Sequence, residues 1–372
     1  MRPLLFLFVC VSAPFVKAEE TLPLPLAVEL ALAIEGDEDT AAARQLEVVK
    51  LLLKRRELTL AISLAEKIVD YRSGVALALC AESSKDADLL LAQAEKKIGR
   101  ASPSGANAIR RDLAVAFQSH HKDADVARLI ASISDKEIRT QARLLCEIVN
   151  LSPPDDLDLE KWRKEIKETV ERAPFPGAIE AARRLSSAGL SLVKAGEATR
   201  GLRRLKEAEE LAELALVAHA ETLLPAAIEL LVTKESRTAH RLMLRAASEV
   251  RHMPTSYDMK AVLSASLAWG WHLAGKTDGA LSILEQGEVL VTELPPMDQP
   301  KALASLAAGW SRLGNVERST QLFMRAAEIA GANANPRMRT IGALDVCLAH
   351  DAADLRIGCD LTKRLRKLGA LP

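Results

Sequence analysis

Aromatic side chains are scarce in this 372-residue chain: four Trp, two Tyr and six Phe, 3% of the whole. Net charge is absent too, with 50 Lys and Arg against 50 Asp and Glu. Single-stranded nucleic acid is held by stacking on aromatics and by a basic excess, so nucleic acid is not an expected partner. Sugar-cleaving clefts need aromatic platforms beside a carboxylate pair, and platforms are few here. Five cysteines form no Cys-x-x-Cys pair, which argues against a zinc or redox site. Seven histidines include no His-x-x-x-His, and there is neither a Gly-x-x-x-x-Gly-Lys phosphate loop nor a Gly-x-Ser-x-Gly turn. No cofactor or metal is therefore expected. Period-2 strand patterns are missing, as are hairpin turns flanked by β-branched runs. What abounds is Ala, Leu, Glu, Arg and Lys, all strong helix formers.

A pattern of small and large residues recurs at intervals close to 40. Its clearest copies centre on Gly196, Gly275 and Gly314. Seven before each glycine stands a small residue (Gly189, Ala268, Ala307), and four before it a bulky one (Leu192, Trp271, Trp310). Five after is small again (Gly201, Ala280, Ser319), nine after is large (Leu205, Leu284, Phe323), and twelve after is small (Ala208, Gly287, Ala326). Two antiparallel helices approach closely only where facing positions are small, and large residues then fill the adjoining grooves. The glycine supplies the positive φ that ends the first helix. Weaker copies place further turns at Arg56, Lys85, His121, Pro154, Lys234 and His350. Nine turns at this drift predict an all-α fold, a solenoid of about nine antiparallel helix pairs. Prolines between Ser152 and Gly177 predict a bend near 152–177.

Ala307, Trp310, Gly314, Phe323 and Ala326, with Ser319 in place of alanine, resemble the tetratricopeptide repeat. Ala268, Trp271, Gly275, Ala280 and Leu284 form the next best copy, and Gly189, Leu192, Gly196, Leu205 and Ala208 the third. The spacing exceeds that family's usual 34, and its proline after the second helix is missing at Gly331. The resemblance implies a right-handed superhelix whose first helices line a concave binding face. The lysine and asparagine constellation with which members of that family hold a peptide's terminal carboxylate is not found here.

The ends carry separate signals. Arg2, the apolar run Leu4–Val11 and Val16-Lys17-Ala18 follow the order of a secretory signal, with cleavage before Glu19. No other run is apolar and long enough to span a bilayer, so no stable membrane insertion is expected after cleavage. The expected organisation is a signal peptide at 1–18, a flexible acidic segment at 19–39, an N-terminal helical-repeat array at 40–172 and a C-terminal array at 173–372. The protein is expected outside the cytoplasm, secreted or in the cell envelope. There Cys347 and Cys359, three before and nine after the His350 turn, are close to disulfide range, whereas Cys80 and Cys146 read as buried thiols.

The repeat register selects candidate site residues. Positions three and six before a turn should face inward: Trp269 and His272, Ala308 and Ser311, Leu190 and Val193. Thirteen before adds Arg183, Lys301 and Arg337. The partner-binding set is then Trp269, His272, Arg183, Lys301, Ser311 and Arg337, with Trp269 as a candidate anchor. The expected function is a non-enzymatic scaffold binding a protein or peptide on its concave face. The alternative is a secreted α/α-toroid enzyme acting on polysaccharide. N-terminal sequencing of the protein from its own host checks the export signal: the expected first residue is Glu19, and a chain that begins at Met1 contradicts it.

Overall fold

The computed structural model describes residues 21–151, 157–169, 176–214, 219–233, 235–254 and 258–371. The expected signal peptide, Pro154 and Lys234 lie outside these. Nineteen helices account for most of the described residues, and no strand forms among them. The architecture is an all-α solenoid. After α1 (Pro23–Leu32) come α2 (Glu38–Lys54) with α3 (Leu58–Lys67), α4 (Arg72–Glu82) with α5 (Ala87–Ile98), and α6 (Pro103–Ser119) with α7 (Asp123–Ser132). Then follow α8 (Lys136–Asn150) with α9 (Leu159–Thr169), α10 (Pro176–Lys194) with α11 (Ala198–Leu214), and α12 (His219–Leu230) with α13 (Ser236–His252). The last are α14 (Asp258–Leu273) with α15 (Thr277–Val291), α16 (Gln299–Arg312) with α17 (Val316–Ala332), and α18 (Pro336–Ala352) with α19 (Cys359–Leu368).

The predicted alternation does its work at the helix contacts. A Cβ on Gly189 would come within 2.7 Å of the Gly201 carbonyl oxygen, so α10 and α11 touch backbone to backbone there. Ala268, Ala280, Ala307 and Ser319 occupy the corresponding places in later pairs, and all are buried. Leu205, Leu284 and Phe323 fill the grooves and are at most 3% exposed. Gly196, Gly275 and Gly314 have φ of 89°, 76° and 86°. Arg56 and His121 adopt the same left-handed backbone without being glycine, at a cost of about 1–2 kcal/mol each. Register thus locates turns that composition does not mark.

The final turn departs from expectation. The positive φ belongs to Asp354, at 55°, and not to His350. His350 lies inside α18, 5% exposed, with its ring 3.7 Å from that of Phe323, centroid to centroid. Cys347 therefore stands seven residues before the turn and Cys359 five after it, instead of three and nine, and both are free thiols, as are Cys80 and Cys146. Burial pushes the Cys80 and Cys146 thiols up to about 12.

The even-numbered helices α2 to α18 pack each on the next, whereas the odd ones meet one another sparingly. The even helices thus run at the smaller radius and form the inner wall. No break in the core falls at 173: α8 packs on α10, where a side chain on Gly177 would collide with Gln141. Within the segment expected to be flexible, residues 23–32 form α1. Pro23, the first residue of α1, starts the helix rather than breaking it, and Leu26, Ala27, Leu30 and Ala31 are buried. Helix α1 packs on both α2 and α18, so the array closes into a ring of ten inner helices.

Polar groups tie the same seam. Thr21 and Ile357 exchange two backbone hydrogen bonds of 3.0 Å. Arg366 pairs with Glu29 at 2.9 Å, Arg55 with Asp351 at 3.0 Å and Asp354 at 2.9 Å, and Arg44 with Asp345. Burial raises the Asp345 carboxyl and Arg44 opposes that shift.

Burial lowers the His350 imidazole to about 4, below its unfolded value near 6.5. The unfolded chain therefore takes up the proton first. The stability that His350 contributes in its neutral form is complete above pH 6.5 and lost as pH falls toward 4, a difference of roughly 3 kcal/mol. Denaturant melts of wild type and His350→Leu across that window check this. The gap between them should shift toward the variant on acidification, and a constant gap would show that the ring is hydrated in the folded state.

Candidate functional site

The inner wall carries an ion pair between α10 and α4 and a mixed aromatic and polar cluster where α14, α16 and α18 meet. Arg184 of α10 reaches Glu82 of α4 at 2.9 Å, across two intervening inner helices. Burial disfavours the Arg184 charge, but the hydrogen bonds and field of Glu82 more than restore it. This bridge ties α4 to α10 beside buried Cys146.

The second region is built on Trp269. Helix α14 carries Trp269 and His272 three residues apart, on one face. Their rings stack with centroids 5.6 Å apart and planes 23° from parallel. The His272 Nδ1 meets the Thr277 hydroxyl at 3.2 Å. From α16, the Arg312 guanidinium lies over the Trp269 ring, 6.0 Å from its centroid, a cation–π arrangement. Arg312 also donates to the Ala352 carbonyl at the end of α18. Burial lowers its pKa; Asp354 opposes this and Arg55 reinforces it. The cluster therefore spans three inner helices and borders the seam.

The structure separates the other residues selected by register. Ser311 is half-buried on α16 and precedes Arg312. Lys301 sits 3.7 Å from the Met259 sulfur and within the field of Asp345. Arg337 pairs with Asp37 at 3.4 Å, so it too belongs to the seam. Arg183 is exposed on α10, with α12 between its helix and that of Trp269. Leu190, Val193 and Ala308 are buried rather than presented inward. Val193 packs against α11, where a Cβ on Gly201 would meet it at 2.5 Å. Arg55, Arg184 and Arg312 were missed by register. Each is adjacent to a counted position or outside the counted offsets, and only their long-range partners mark them.

Among the described residues, no group of three or more His, Cys, Asp or Glu is placed to hold a metal ion, and no helix is long and apolar enough to cross a membrane. A cavity of about 230 Å³ lies elsewhere, where α1 meets α2 and α3, lined by Leu32, Ile34, Ala41, Ala42 and Lys67 among others. No protein-family model, curated protein or solved structure matches the chain.

Trp271 and Trp310 differ from Trp269. Trp271 is 8% exposed and Trp310 6%, and Trp310 donates to Glu288 at 2.8 Å. Phe323→Ala should cost roughly 3–5 kcal/mol, the range for deleting a buried aromatic. Trp269→Ala, at a half-buried position, should melt close to wild type. Thermal melts of both variants compare them, and equal early melting would make Trp269 a core residue.

Proposed function

We propose that this protein is a non-enzymatic interaction scaffold of the tetratricopeptide type, exported from the cytoplasm, that binds a protein or peptide partner on its inner wall. The observation that carries this reading is Trp269. It is half-buried on the wall where Trp271 and Trp310 are buried, and His272 and Arg312 flank its ring. An aromatic anchor with restrained rotamers beside a cation is a common centre of an interface. The small–large alternation and the left-handed turns support the repeat type, and the apolar run before Glu19 supports export.

Closure of the ring favours a second reading, the secreted α/α-toroid enzyme acting on polysaccharide. Glycoside cleavage asks for two carboxylates facing each other across a cleft. The inner acidic groups Glu82, Asp345 and Asp351 are instead each engaged by an arginine, and the scaffold reading takes precedence.

Affinity purification of the protein from its own host, followed by mass spectrometry, tests it. Wild type and the outer-surface control Val289→Ala should retain the same partner. Trp269→Ala should lose about 2 kcal/mol of binding, roughly thirtyfold, with its melt unchanged. Equal capture by Trp269→Ala would remove the wall as the docking surface, and release of reducing sugar from a polysaccharide by the purified protein would favour the enzyme.

A further inference from the structure

Arg312 differs from the other arginines that join one inner helix to another. Arg44, Arg55 and Arg184 each meet at least one carboxylate. Among the described residues Arg312 meets a backbone carbonyl, that of Ala352, and forms no ion pair with a carboxylate. A guanidinium offers five donors in a fixed fork, matched to the two oxygens of a carboxylate or to phosphate oxygens. Most of that fork is left open here. The nearest acidic group in its field, Asp354, is committed to Arg55 at 2.9 Å. Arg55 itself is close enough to repel Arg312. Two cations thus share one neighbourhood in which Asp354 bonds to the other.

The surroundings make this a built arrangement rather than a loose surface cation. The Trp269 ring lies under the guanidinium, and His272 stacks on Trp269. The contact to Ala352 pins one end of the fork to α18. The residue is half-buried on the inner wall, where an incoming anion sheds less competition from water than on an open surface. We propose that Arg312, held over Trp269, is an oxyanion-binding site that takes a carboxylate or a phosphate group of a ligand entering the ring. The open donors receive the oxygens, and the aromatic pair keeps the fork from swinging away. The site shares Trp269 with the proposed docking wall and rests on that reading only in this, since a free anion would bind whether or not a protein partner docks.

The test uses the full chain, with succinate and inorganic phosphate as probes at constant ionic strength against chloride. Arginine labelling with phenylglyoxal, read at Arg312 by peptide mass spectrometry, reports occupancy. Labelling of Arg312 should slow severalfold with anion, while labelling of exposed Arg183 should not change. Protection by succinate alone assigns a carboxylate, by phosphate alone a phosphate, and by both the shared oxyanion chemistry. Protection by neither overturns the site. Calorimetry should show roughly tenfold weaker anion binding in Arg312→Gln, the loss expected for charged hydrogen bonds, and undiminished binding there also overturns the site. If Arg312→Gln fails to fold, Arg312→Lys and the wild-type protection decide. A partner captured through Trp269 without anion protection sinks the oxyanion site and leaves the docking reading standing. Anion protection without any captured partner does the reverse.

Discussion

Close approach of two helices at small residues is the constraint on which everything else in this molecule depends. Gly189 against Gly201 shows it in its extreme form, with backbone on backbone. Such contacts bring paired helices near enough for Leu205, Leu284 and Phe323 to fill the grooves completely. Stacking of the even helices on one another, more closely than the odd ones, then gives the array its curvature. Curvature sustained over nine pairs carries the last pair back to the first helix. The inner wall, and with it the Trp269 cluster, follows from contacts made entirely elsewhere.

The seam shows how a curved stack becomes a closed one. Helix α1 contributes an apolar stripe, Leu26, Ala27, Leu30 and Ala31, that fits between α2 and α18. Arginines and acids then fix the register of the two ends. Buried ion pairs are weak evidence for stability, because desolvation offsets much of the attraction. Their better-attested effect is specificity. Arg44 with Asp345 and Arg55 with Asp351 are satisfied only when α2 meets α18 at one height.

Much of the fold was legible in the sequence, because the repeat is local. Turns at Arg56, His121, Gly196, Gly275 and Gly314 were placed by spacing, and each holds a positive φ. His350 misled because the repeat register set the last turn there, whereas the positive φ falls four residues later at Asp354 and the His350 ring packs on Phe323. Pro23 is the first residue of α1, and Pro at a helix start and Pro as a breaker look alike in sequence. Closure itself could not be read, for it rests on pairings such as Arg44 with Asp345 that lie about three hundred residues apart. Of the site, register reached Trp269 and His272 but not Arg312, whose role depends on a carbonyl of the next inner helix.

Closure also changes how such a stack comes apart. In an open array the terminal repeats have a neighbour on one side only, and loosening starts at an end and travels inward. Here α1 and α18 are each other's neighbours, so no helix pair is terminal. Fraying has no natural starting point except the Thr21–Ile357 bridge and the ion pairs around it. A quasi-one-dimensional polymer has in effect been given periodic boundaries. Its unfolding should be more nearly all-or-none than its linear, repeat-by-repeat construction would suggest.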